Sequence, residues 1–373
     1  MLSYSLQAIF FSIILLWFHV RRRHIDVYVV AAVLTWALVT IYLFFRYRQD
    51  QVLFYSNDQL WHKTLIYEYL GNGLHFNLEE IMGARYVITL PAYIASKFGV
   101  DPILSIKMIQ LVFLLLTYNE GRRFIERNGV EFKLWQTIFF AGPTSVFLST
   151  LALRDLVIVY FTTQIFLRNS LNRKLLGSIV VFLLRPHLVV AVFIGWVLAQ
   201  LISRRTQRLS LSVLLATSVL SYVIGTISYF VGANIQSGIP LRMPTEVFTQ
   251  YKFIRMFANF VGLQFLTLGE TVVQLSTPQL LLTRVIFIDT FLISIIFLVF
   301  VFRRSGLIDN LRTHVLLSFM LFFGLTSQSD WNSSRQNLPF LTIMGLTAVV
   351  DMMRTKQPLN RHVNEAAEIS SRQ

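Results

Sequence analysis

Apolar runs of about 18–20 residues recur along the whole chain, each long enough to cross a bilayer as a helix. VYVVAAVLTWALVTIYLFF (27–45) is an example. Backbone immersed in hydrocarbon must satisfy its own hydrogen bonds, which leaves only helices and closed barrels. A barrel needs alternating segments of about ten residues, and these runs are continuous. The pattern therefore predicts an all-α polytopic membrane protein. The charged fraction agrees. It is 14%, where soluble chains carry about 25%, and the mean hydropathy is +0.60.

The net charge of +14 reads as a topology signal, since basic residues collect in cytoplasmic loops; it does not point to nucleic acid. The absence of cysteine excludes a disulfide framework and a thiolate metal site. No HExxH, phosphate loop, GxGxxG or GxSxG occurs, and no histidines cluster, so no metal or cofactor is expected. The first 20 residues lack a basic start and a small-residue cleavage site, and read as a retained helix.

Basic clusters set the orientation. They are RRRH (21–24), RR (122–123) with Arg127 and Lys133, RNSLNRK (168–174), SRRTQR (203–208), FRRSGLIDNLR (302–312) and MRTKQPLNRH (353–362) with Arg372. One arrangement turns all of them inward, with the N-terminus outside and the C-terminus cytoplasmic. Its eleven spans are 2–20, 26–45, 103–118, 136–151, 153–167, 175–184, 187–202, 209–230, 281–301, 313–326 and 337–352. Residues 1–352 then form a single transmembrane domain. Segments 46–102 and 231–280 lie outside, and 353–373 is a polar, disordered tail. ARYVITLPAYIASKFGV (84–100) holds Arg85, Pro91 and Lys97. It reads as an interfacial helix, because as a span it would put the next basic loop outside.

With this topology several outward turns each place an ionisable residue near the outer membrane face. LALRDLV brings Arg154 and Asp155, LLRPHLVV brings Arg185 and His187, and SQSDWNSSRQNLP brings Asp330 and Arg335. YSNDQLWH adds Asp58 and His62, and Arg284 joins them. Ionisable residues at such depth usually face a bundle interior or an aqueous cavity. The convergence predicts one outward-opening cavity with surplus guanidinium, suited to a phosphate-bearing ligand. Each residue also has a plainer reading. Arg154–Asp155 is equally a structural cap on a helix, Arg185 an interfacial arginine, His187 an interior histidine and Asp58 a helix N-cap.

The order of motifs resembles the GT-C superfamily of membrane glycosyltransferases, particularly the exopolysaccharide and O-antigen repeat-unit polymerases. The matching stretches are YSNDQLWHKTLIYEYL, ARYVITLPAYIASKFGV, FFAGPTSVFLST running into LALRDLVIVYF, LLRPHLVVAVFIG, and SSRQNLPFLTIMGL. The resemblance implies transfer of a glycan from a polyprenyl (pyro)phosphate carrier to a sugar hydroxyl at the periplasmic face. The carrier-linked donor, the acceptor, the bilayer and other polysaccharide-assembly proteins would be the partners. It implies Asp58, Arg154 and Asp155 as catalytic residues, with Asp58 as base. Arg154, Arg185, His187 and Arg335 would bind the phosphate, and Trp61, His62, Asp330 and Arg284 the sugar. Asn57 and Gln59 flank Asp58 where many members carry a second adjacent acid. Two rivals stand beside the polymerase: a transferase using a polyprenyl-phosphate monosaccharide, and a flippase or transporter of lipid-linked oligosaccharide. A flippase is expected to show repeated halves and charge through the whole depth. This sequence shows no repeat, and its intramembrane charges are expected on one side.

Overall fold

The computed structural model describes residues 2–21, 26–47, 56–73, 86–205, 309–326 and 333–354, with the isolated helical residues 219, 223, 292, 293 and 295. The expected spans 209–230 and 281–301, the outer segment 231–280 and the C-terminal tail lie outside the described residues, apart from these isolated positions and Met353–Arg354. Among the described residues every regular element is helical, as the hydropathy pattern requires.

Among the described residues three helices are long and apolar enough to cross a membrane: Ser3–Arg21, Val27–Phe45 and Pro102–Arg127. They belong to α1 (Leu2–Arg21), α2 (Val27–Tyr47) and α5 (Pro102–Arg127). Each has a local reason to begin or stop. Asp101 caps α5 by accepting from the Leu104 amide at 3.0 Å, and Pro102 occupies the first helical position, where its missing N–H costs nothing. At the far end Gly129 adopts φ 73, the left-handed conformation that ends helices cheaply. Between α2 and α5 lie α3 (Ser56–Asn72) and α4 (Tyr86–Lys97). At 12 residues, α4 is about 18 Å long and short of a crossing. It packs on α5 and α3.

The chain from 130 to 205 departs from simple spans. A 3₁₀ segment (Leu134–Phe139) leads into the short α6 (Pro143–Ser149), and α7 (Asp155–Leu167) runs back. Then come α8 (Leu171–Leu184) and α9 (Pro186–Arg205). The expected spans 136–151 and 153–167 are therefore two arms of a broken hairpin. The 13 residues of α7 cover about 20 Å, against about 30 Å of hydrocarbon.

Interhelical bonds fix how deep that hairpin reaches. Tyr28 donates to the Ala141 carbonyl at 2.7 Å, and Trp36 Nε1 to the Ser149 carbonyl at 2.9 Å. The chain thus climbs beside α2 from its first turn to its middle. Gln110 Oε1 then accepts from the Leu156 amide at 3.0 Å. Gln110 lies about 12 Å along α5 from Pro102. The bend at 150–155 therefore sits inside the bundle, not at its rim. Descending again, α7 turns toward the basic end, and Arg168 pairs with Glu120 about two turns before the end of α5.

α10 (Asp309–Thr326) and α11 (Ser333–Arg354) close the bundle. α10 runs antiparallel to α9: His187 stacks on Phe322 with ring centroids 5.5 Å apart, and a His314 ring nitrogen bonds the Val192 carbonyl at 2.9 Å. α11 returns to the basic end, where Arg354 donates to the Asn128 carbonyl at 2.9 Å. Two apolar clusters fill the interior. One joins α7–α11 around Phe319, Phe322 and Phe340, the other joins α1, α2, α5 and α6 around Trp36, Tyr118 and Leu148. α5, α7 and α11 contribute to both, so they form the wall between them.

Close backbone approach holds α11 against the hairpin. A Cβ at Gly345 would collide with the Phe139 carbonyl oxygen. Side-chain rotation cannot relieve contact with a backbone oxygen, and overpacking costs about 1–3 kcal/mol or more. Gly345→Ala is expected to lower unfolding stability in detergent by at least about 2 kcal/mol. Gly71→Ala, with open space around it, is the control; equal stability of the two variants would refute the close approach.

Candidate functional site

The bend at 150–155 meets a second interruption. α8 stops at Leu184 because Pro186 follows: proline pushes Arg185 out of helical geometry, to φ −158° and ψ 78°. Two breaks in the helical chain, Arg154–Asp155 and Arg185–Pro186, therefore lie side by side inside the bundle. Arg185 Nη2 donates to Asp155 Oδ1 at 3.2 Å, and the side chains are 3% and 1% exposed. Arg154, half-buried at the N-cap of α7, stands beside them. His187 follows two residues after Arg185, in the first turn of α9, and stacks on Phe322.

Arg154 and Arg185 bring two guanidinium groups to these neighbouring helix breaks, and Asp155 bonds one of them. Guanidinium offers planar, paired donors that match carboxylate and phosphate oxygens. The N-terminus of α7 opens on the same place and favours negative charge further.

Gln110 holds this arrangement, although the sequence reading passed over it. Its Oε1 accepts from the Leu156 amide, one of the orphan N–H groups of the first turn of α7. Gln110 is fully buried, and its Nε2 has no hydrogen-bond partner among the described residues. Lys107, one turn earlier on the same helix, is also buried. A usable signal was present in the sequence: LSIKMIQLV places two polar residues three apart inside an apolar span, hence on one helix face. Gln110→Met removes the acceptor at nearly constant volume. It is expected to cost about 1–3 kcal/mol, the price of an unsatisfied buried amide, seen as a lower unfolding midpoint in detergent. An unchanged midpoint would show that the bond does not hold the bend.

At the Pro102 end of α5, the charges of Lys107 and Lys63 both bear on Asp101. Burial pushes the Asp101 carboxyl above its ordinary range, against the opposing pull of N–H bonds from Leu104 and Ile103 and of the two lysines. Lys63 belongs to α3, which packs on α4 and α5. His62 is buried on α3 and Trp61 is at its surface. Asp58 lies in the first turns of α3 and Arg335 near the start of α11, but both side chains lie outside the described residues, as do Asp330 and Arg284 altogether.

Arg185 thus meets Asp155, with Arg154 and His187 next to them in the chain. Their depth differs from the expectation, which put them at the rim: the bend lies near the middle of α2. Hydropathy counts apolar residues without registering where a helix breaks. The expected confinement of buried charge to one side also fails. Arg312 pairs with Asp351, at 3% and 2% exposure, three residues from the starting end of α10 and three from the finishing end of α11. Arg168 and Glu120 pair toward the same basic end. These arginines read as topology signals in sequence, and only the folded chain supplies their acidic partners.

Among the described residues no cluster of three or more metal-ligating side chains occurs. No family model, curated protein or solved structure matches the chain.

Proposed function

We propose that the protein is a membrane glycosyltransferase that moves a glycan from a polyprenyl (pyro)phosphate to a sugar hydroxyl, in the manner of a polysaccharide repeat-unit polymerase. The observation that carries this reading is the pairing of Asp155 with Arg185 at two adjacent helix breaks, with Arg154 beside them. In the proposed orientation the N-terminus is periplasmic, the basic end is cytoplasmic, and the cluster opens toward the periplasm within an eleven-span, GT-C-like bundle.

The chemistry follows from charge. Breaking the bond from the sugar carbon to the phosphate oxygen leaves negative charge on the departing carrier. Fixed guanidinium groups stabilise that charge more strongly in a dry interior than in water. Asp155 holds Arg185 in place. Asp58, on α3, would take the acceptor hydroxyl proton as the new glycosidic bond forms. The proton leaves the hydroxyl and the electron pair of the broken bond stays on the phosphate, so no cofactor is needed.

The test is transfer by purified protein in nanodiscs, given a polyprenyl-diphosphate oligosaccharide as both donor and acceptor. Longer carrier-linked glycan is the expected product, and Asp58→Asn is expected to reduce it at least about 100-fold at unchanged protein level. Normal product from Asp58→Asn would remove Asp58 from the mechanism.

A second reading, a transporter of lipid-linked glycan, is favoured by the discontinuous helices and by ion pairs at two levels of the bundle, features that alternating-access proteins use. The same nanodisc preparation separates the two, because a transporter would leave glycan length unchanged.

A further inference from the structure

The three helices that qualify as membrane spans meet at their basic ends around a cavity of about 240 Å³. It is lined by Phe18 and His19 of α1, Asp26 at the start of α2, and Asn119, Arg122, Arg123 and Glu126 of α5. This lies more than two helical turns along α5 from the Gln110 site, and the proposed transfer does not use it.

The lining carries both signs of charge. Arg122 reaches Asp26 at 3.5 Å and Glu126 at 2.8 Å, and Arg123 reaches Glu120 at 3.3 Å. Asp26 also accepts from the Tyr118 hydroxyl. These bonds leave capacity unused, since a carboxylate offers about four acceptor sites and a guanidinium five donors. The side chains of Arg122, Arg123 and Glu126 remain 40%, 60% and 45% exposed. His19 donates its Nδ1–H to the Leu15 carbonyl at 2.8 Å, so the neutral ring keeps Nε2 as an acceptor. Acceptors for an ammonium group therefore stand beside donors for a phosphate.

Size and surroundings narrow the ligand. A cavity of about 240 Å³ has room for a small polar headgroup. On α1, Phe10, Ile13, Ile14, Trp17 and Phe18 are all exposed. Their spacing of 3, 4, 7 and 8 places them on one helix face. That apolar stripe ends at Phe18, in the cavity wall. Arg21 over the Trp17 ring, 5.5 Å from its centroid, is an arrangement typical of the membrane–water boundary.

We infer that this cavity holds the headgroup of a phospholipid bearing a primary ammonium and a phosphate, with its acyl chains lying along the exposed stripe of α1. The ammonium meets Glu126, Asp26 and His19, and the phosphate meets Arg122, Arg123 and Asn119.

The test is lipid retention, read by native mass spectrometry of the full-length protein released from nanodiscs holding equal phosphatidylethanolamine, phosphatidylcholine and phosphatidylglycerol. The wild type is expected to keep phosphatidylethanolamine about tenfold over the other two, because a quaternary ammonium has no N–H to donate and phosphatidylglycerol has no ammonium. Glu126→Gln and Arg123→Gln, both at exposed side chains, are each expected to abolish that preference without lowering protein yield. Equal retention of the three lipids by the wild type would overturn the inference, as would an unchanged preference in both variants. Displacement of the lipid by an equal concentration of free phosphoethanolamine would assign the cavity to a soluble zwitterion and overturn the lipid assignment.

Discussion

Arg154→Ala is expected to lower glycan transfer about 100- to 1,000-fold, the usual effect of deleting one donor to a developing oxyanion, while protein level and unfolding midpoint stay near wild type. Arg154 is the informative arginine because it is half-buried, whereas Arg185 is nearly inaccessible. Truncating Arg185 would strand the Asp155 carboxylate and confuse catalysis with folding. Under the proposed chemistry the loss falls on kcat, since the departing phosphate carries more negative charge in the transition state than in the bound donor. Arg154→Lys keeps the charge but not the planar pair of donors, and should recover only part of the rate. Wild-type product from Arg154→Ala would remove this cluster from the chemistry. A loss confined to KM would reduce it to a binding role.

The second large effect separates structural from functional charge. Asp155–Arg185 and Arg312–Asp351 are both buried ion pairs. Removing one partner of such a pair costs about 3–5 kcal/mol, whereas replacing both with apolar residues is often close to neutral. Asp155→Leu, Arg185→Met, Arg312→Met and Asp351→Leu are therefore each expected to unfold early in detergent. The double variants Asp155→Leu/Arg185→Met and Arg312→Met/Asp351→Leu should recover most of the stability. Only the first double variant should then lack transfer. A fully active Asp155→Leu/Arg185→Met protein would contradict the site; an inactive, stable Arg312→Met/Asp351→Leu protein would give the basic-end pair a function as well.

Legibility differed from one element to the next. Helices α1 and α2 follow nearly to the residue from apolar length and flanking charge, because crossing hydrocarbon demands about 20 apolar residues whatever the fold. Arg154 and Asp155 were conspicuous because ionised groups are rare in such runs. Pro186 marked the second helix break, since the residue before proline avoids helical geometry. Gln110 was overlooked because a lone amide in an apolar span has many ordinary explanations, and its partner, the Leu156 amide, is 46 residues away. The cavity at the basic end was equally hidden. Its residues come from three helices, and Arg122 and Arg123 taken alone looked like loop-side topology markers.

The sequence by itself determined the all-helical class, the ends of the first helices and which polar residues stand inside apolar segments. Those properties depend on transfer free energy and local backbone chemistry, which each segment carries with it. The tertiary structure alone decided that the 136–167 segment turns back within the bundle, that Asp155 meets Arg185 there, and that Arg312 finds Asp351 near the opposite end. Such pairings depend on how helices distant in sequence pack and register against one another, and no single segment encodes that depth.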